Sequence, residues 1–239
     1  KETIKSALGF GVFIMGGGAA YGLGQAAEIV IMTIFLVNYN EIWGNWQLAW
    51  GLAASYAILL TLNGNLLPSI SEAISNARKI LSKYYVAMAY KWGGLISGFF
   101  CASLLAVADR FILGASGTDF QRAAVYVIPL IFYWALGFPT WTNDVVQQGS
   151  NRPKINMFMT LGEQIIRISL VLLLIGRFQI YALVIAYTIA LLLKDIVGYL
   201  VNHKLNFPLH LYLWQTFAAP LLAGVVHYFI LRTLTGLVW

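Results

Sequence analysis

The chain has 239 residues, of which 60% are hydrophobic and only 10% charged, with a mean hydropathy of +0.76. A soluble domain carries roughly 25% charged residues to keep its surface solvated, so this composition excludes an ordinary water-soluble globule and points to a bilayer. The net charge of +6 does not signal nucleic acid, because Lys and Arg stand singly between apolar runs and form no stripe.

A helix needs about 20 apolar residues to cross the hydrocarbon core. The first candidate runs from Ala7 to Val37 and is rich in glycine: Gly9, Gly11, Gly16, Gly17, Gly18, Gly22 and Gly24. Such a helix either packs closely or bends. The second crossing spans Trp46 to Leu67 and stops at Pro68. From Ser69 to Lys83 the pattern changes. Ile70, Ala73, Ile74, Ala77, Ile80 and Leu81 recur at helical spacing with Glu72, Arg78, Lys79 and Lys83 between them. This predicts a short amphipathic helix in the plane of the interface. Crossings follow at Tyr85–Leu113, Ala123–Val146, Ile155–Ile175, Ile180–Val201 and Leu211–Leu237. Connectors as short as Gly176–Gln179 imply antiparallel neighbours. The expected fold is an all-α, polytopic transmembrane helix bundle of about seven crossings with one interfacial helix. Within the fourth of the long crossings, Pro129 and Gly137-Phe138-Pro139 predict kinks.

Charge then predicts orientation. Alternating the loops puts Lys1, Lys5, Arg78, Lys79, Lys83, Arg152, Lys154 and Lys204 on one side, against Arg110, Arg122, Arg177 and Arg232 on the other. By the positive-inside rule the first side is cytoplasmic, as is the N-terminus, and Trp239 lies outside. The 8 Trp and 13 Tyr suit a protein with two interfaces to line. No cleavable signal peptide is read, and helices that insert directly need none. The opening Lys1-Glu2-Thr3, without an initiator Met, is expected of a fragment.

Charges inside the helices are the most informative residues, since each costs several kcal/mol in the bilayer unless paired or wet. Counted from the helix ends, Lys91, Asp144, Glu163, Lys194 and Asp195 share one depth in the cytoplasmic third, with Arg167 one turn deeper. Glu163 and Arg167 are spaced i,i+4 and can pair, and Asn156 and Thr160 continue that face as a polar stripe. Nearer the outer side sit Glu28, Asp109 and Arg110. Two readings stand open. The charges are mutual ion pairs that orient helices, or they line a hydrophilic cavity in which Arg167 reaches a ligand's anionic group. Glu28 has no basic partner in its own helix. It is a candidate for carrying a proton or holding a cation, or it is solvated near the outer surface.

Catalysis is not expected. His203, His210 and His227 lack metal-ligand spacing, no DxD, GxSxG or HExxH occurs, and the loops cannot hold a catalytic domain. The single Cys101 excludes an internal disulfide framework and a Cys-rich metal centre. No metal, cofactor or nucleic-acid partner is predicted.

Two stretches carry a resemblance. Leu66-Leu67-Pro68-Ser69-Ile70-Ser71-Glu72-Ala73 leads into the amphipathic segment, and Asp144-Val145-Val146-Gln147-Gln148-Gly149-Ser150-Asn151-Arg152-Pro153-Lys154 comes two crossings later. They resemble the "LPxxSE" and "xxQGxxxPK" stretches of polysaccharide and lipid-linked oligosaccharide flippases, within the multidrug/oligosaccharidyl-lipid/polysaccharide exporter superfamily. Ala108-Asp109-Arg110-Phe111-Ile112-Leu113-Gly114 also looks like a helix end of that group. The resemblance implies that residues 1–205 form the second, six-helix lobe of such a protein and 206–239 an additional helix. A first lobe or partner subunits would be missing. It also implies a transporter in the cell membrane that moves a polyprenyl-phosphate-linked sugar by alternating access. Arg167, Lys91 and Lys194 are then candidates for the anionic headgroup, by depth and charge, with Glu163, Asp144 and Asp195 as a polar network. An exporter of small molecules coupled to H⁺ or Na⁺ through Glu28, and a non-transporting scaffold subunit, are the alternatives.

Overall fold

The structure is a computed structural model and describes residues 2–57, 64–204 and 218–238. Among these residues there are eight α-helices and no strand: α1 (Glu2–Phe35), α2 (Tyr39–Ala54), α3 (Leu66–Ser75), α4 (Lys79–Ser116), α5 (Gln121–Gly149), α6 (Pro153–Phe178), α7 (Tyr181–Lys204) and α8 (Ala219–Val238). Six of them, α1 and α4 to α8, are long and apolar enough to cross a membrane. The fold is the expected all-α polytopic bundle.

The expected second crossing, 46–67, begins in α2, and its residues 58–63 lie outside the described residues. So do 211–217 of the last crossing. Gly17 of α1 lies beside Met157 of α6, Gly24 beside Gln164, and Glu28 beside Arg167. The two series rise together, so α1 and α6 are parallel.

The amphipathic segment expected over 69–83 is divided in two. α3 ends at Ser75, and residues from Lys79 onward already belong to α4. The stop is a Schellman cap: the Arg78 amide donates to the Ala73 carbonyl at 2.7 Å and the Ala77 amide to Ile74 at 3.0 Å. Ala77 takes φ +55°, a left-handed position that glycine usually fills. With no glycine there, nothing in the residue pattern signals the break. The same device closes α5, with Asn151 at φ +56° and the Arg152 amide on the Gln147 carbonyl at 2.9 Å. Pro153 then opens α6 at a position where its missing N–H costs nothing. Pro129 and Pro139 both lie inside α5, which continues through them as one helix.

The chain divides into two compact units. One gathers α1, α3, the start of α4, the end of α5 from Thr140, and α6 and α7. In it α7 runs antiparallel to α6, with Lys194 against Glu163 and Gly198 against Met159. Tyr187, Leu191, Lys194 and Gly198 repeat at i, i+4, i+7 and i+11 and form the buried face of α7. The other unit holds α2, α4 from Ala87, α5 up to Pro139, and α8. There the aromatic rings of Trp46 and Trp50 on α2 meet Tyr126, Tyr133 and Trp134 on α5. α8 runs parallel to α4, through contacts of Gly98 with Pro220, Ser103 with His227, and Asp109 with Arg232.

Candidate functional site

The buried face of α6 carries Asn156, Thr160, Glu163, Gln164 and Arg167, so the polar stripe read from the sequence points into the first unit. At its centre Arg167 is 1% exposed. Its Nε and Nη2 each donate to Glu28 of α1 at 2.9 Å, a bidentate pair. Tyr187 of α7 donates its hydroxyl to the same carboxylate at 2.6 Å, and its ring lies 3.9 Å from the guanidinium carbon. Glu163, one turn earlier on α6, stands 3.8 Å from Arg167 Nη1. The expected i,i+4 pair therefore exists, but Glu28 is the closer partner.

Glu163 also bridges to the second cation. Its Oε2 is 3.1 Å from Lys194 Nζ, which donates to Asp144 of α5 at 3.1 Å and to Thr160 at 3.3 Å. The result is a chain of alternating charge, Glu28–Arg167–Glu163–Lys194–Asp144, tying together four helices. Asp195 lies alongside and accepts from Thr140 at 2.7 Å and from Asn143 at 3.5 Å. Three carboxyl groups, Glu28, Glu163 and Asp144, thus share two cationic side chains. In a low-dielectric interior each such group needs a partner, and here each cation is held between two acids. A cavity of about 380 Å³ reaches Glu163 and Lys194 and is otherwise walled by apolar side chains such as Phe158, Ile166 and Leu193.

Counting from the end of its helix puts Glu28 on the outer side of the middle of α1. Its pairing with Arg167 sets it level with the middle of α6. Tyr187, Thr140 and Asn143 were not singled out from the sequence. Tyr187 is two turns before Lys194 on one face of α7, and that periodicity is the signal that exposes it.

Lys91 belongs to the other unit. It is half-buried, its ammonium lies 5.5 Å from the Trp92 ring centroid, and among the described residues it makes no ion pair. The same unit holds a groove of about 510 Å³ between α4, α5 and α8. Its floor on α4 is Gly94, Gly98 and Ala102, one turn apart each, and its walls include Phe132, Leu136 and Leu221. On α4 the lining starts at Tyr90, the residue before Lys91 in the chain. Farther along α4, Asp109 and Arg232 of α8 form a bidentate pair at 2.8 Å, half-exposed.

Fold and buried charges together define an integral, multi-pass α-helical membrane protein. No family model, no curated protein and no solved structure matches the chain.

Proposed function

We propose that the chain is part of a flippase-type transporter that moves an anionic lipid-linked substrate across the cell membrane by alternating access. The substrate would be a polyprenyl-phosphate-linked oligosaccharide or polysaccharide precursor. What supports this reading is the apolar groove lined on α4 from Tyr90 onward, together with Lys91, the next residue of that helix, whose ammonium lies over the Trp92 ring. A hydrocarbon tail suits the groove, and a phosphate suits an ammonium that no carboxylate has claimed. Of the three cations considered for the headgroup, Arg167 and Lys194 are already neutralised by acids, which leaves Lys91 to attract it. In this reading the N-terminus is cytoplasmic, and Lys91 lies about 18 Å along α4 from Lys79, within reach of a headgroup entering from that side. The resemblance of the Leu67–Glu72 and Gln147–Lys154 stretches to flippases points the same way.

Photo-crosslinking with a diazirine-bearing polyprenyl phosphate tests it. Label should map to residues of the groove and fall sharply in Lys91→Ala. Label spread evenly over the lipid-facing helices, unchanged in that variant, refutes the reading.

A non-transporting scaffold subunit is a second reading, and one observation favours it. In the charge network on α1, α5, α6 and α7 each cation is held between two acids, as expected where buried ions only hold helices in register. Such a protein would bind no polyprenyl phosphate at Lys91.

A further inference from the structure

Helix α1 is attached to α6 and α7 in an unusual way. The face it buries is Gly17, Ala20, Gly24, Glu28, Ile31 and Met32, so from Gly17 to Gly24 it offers little side-chain area to pack. In a bilayer such an interface gains no hydrophobic stabilisation over lipid. Beyond that small-residue stretch its polar attachment is the bidentate contact between Glu28 and Arg167. Opening that contact elsewhere in a membrane would strand a guanidinium at large cost. Here it does not, because Glu163 waits 3.8 Å from Arg167 Nη1 on the same helix. Glu28 in turn keeps the Tyr187 hydroxyl.

A second observation lies at the same interface. Gln164, 4% exposed, packs its amide on Gly24 of α1, and among the described residues neither its oxygen nor its nitrogen has a hydrogen-bond partner. Buried amides are nearly always paired. One left unpaired between two helices marks a contact whose polar groups are not all satisfied in this arrangement.

We propose that Arg167 is a two-position latch, exchanging its guanidinium between Glu28 on α1 and Glu163 on its own helix. In the first position α1 is docked on α6 and α7, and in the second it is released without leaving the arginine unpaired. Glu163 can serve both roles because its other oxygen stays on Lys194. The inference concerns α1, α6 and α7 alone and holds whatever the chain carries.

The test is a disulfide reporter in the full chain, reconstituted in nanodiscs with Cys101→Ala. A Cβ at Gly17 lies 3.8 Å from the Met157 backbone, so Gly17→Cys with Met157→Cys measures docking of α1 through its rate of oxidation. Glu28→Gln should slow that rate by about tenfold. Glu163→Gln, which removes the second position, should speed it. A static ion pair predicts the opposite for the second variant, since losing Glu163 only weakens the network. An unchanged or slower rate in Glu163→Gln, or an unchanged rate in Glu28→Gln, overturns the latch. Should Glu28→Gln fail to fold, Glu163→Gln alone decides.

Discussion

Arg167 and Glu28 meet through two hydrogen bonds of 2.9 Å although 139 residues separate them in the chain. The pair fixes the register of α1 on α6 and begins a run of alternating charge that ends at Asp144. Its energetics follow from its burial. Removing one partner of a buried pair costs about 3–5 kcal/mol, whereas replacing both with apolar residues is often neutral. Arg167→Met should therefore destabilise the protein strongly in detergent melts, and Glu28→Leu with Arg167→Met should recover most of the loss. A double variant no more stable than the single one would mean that Glu163 and Tyr187 depend on the pair as well.

The contact between Asp109 and Arg232 has the same bidentate shape but is about a third exposed at each side chain. Solvated pairs contribute about 0.2–1 kcal/mol. Asp109→Asn should thus shift the melting temperature far less than Arg167→Met, and the shift should shrink as salt is added. Equal effects of the two variants would place Arg232 in a drier setting than its exposure indicates.

Much of the fold can be read from residue pattern alone, because apolar length and helix periodicity are local properties. The depth shared by Asp144, Glu163 and Lys194 is also legible, since a helix rises uniformly and counting residues measures depth. Counting does not give azimuth. Counting assigns Lys91 the same depth, yet Lys91 belongs to the other compact unit, and Glu28 finds its cation on a helix that no spacing rule connects to its own. The break after Ser75 escapes notice for a different reason: Ala77 adopts a left-handed conformation without the glycine or asparagine that would announce it.

Asn45 of α2 accepts a hydrogen bond from the Ala123 amide at 3.0 Å. Ala123 is in the first turn of α5, where backbone donors lack partners within the helix, so α2 caps α5 from outside. Asn45→Ala should cost about 1 kcal/mol, while Asn45→Asp, which keeps the acceptor, should stay near wild type. Thermal melts of the two variants check this, and equal losses would argue against the cap.

Gly98 sets the approach of α8 to α4. A Cβ there would meet the Pro220 carbonyl at 2.9 Å, a backbone atom that cannot step aside. Gly98→Ala should destabilise by about 1–3 kcal/mol and make α8 more accessible to protease. Gly22→Ala, on a helix face with no heavy atom within 4 Å, should be neutral or stabilising by up to about 1 kcal/mol. A reversal of that order would place the close contact on α1 instead.

The central claim is transport of an anionic polyprenyl-linked sugar along the groove lined on α4 from Tyr90 onward, with Lys91 attracting the headgroup, and its most direct test is translocation in proteoliposomes. The full-length protein would be compared with Lys91→Ala and with Glu28→Leu/Arg167→Met, each confirmed folded. The account predicts flipping by wild type, a loss of about tenfold or more in Lys91→Ala, and a changed rate without loss of substrate binding in the double variant. Absence of flipping by folded wild-type protein across several polyprenyl substrates, or full activity in Lys91→Ala, contradicts the claim and favours the scaffold reading.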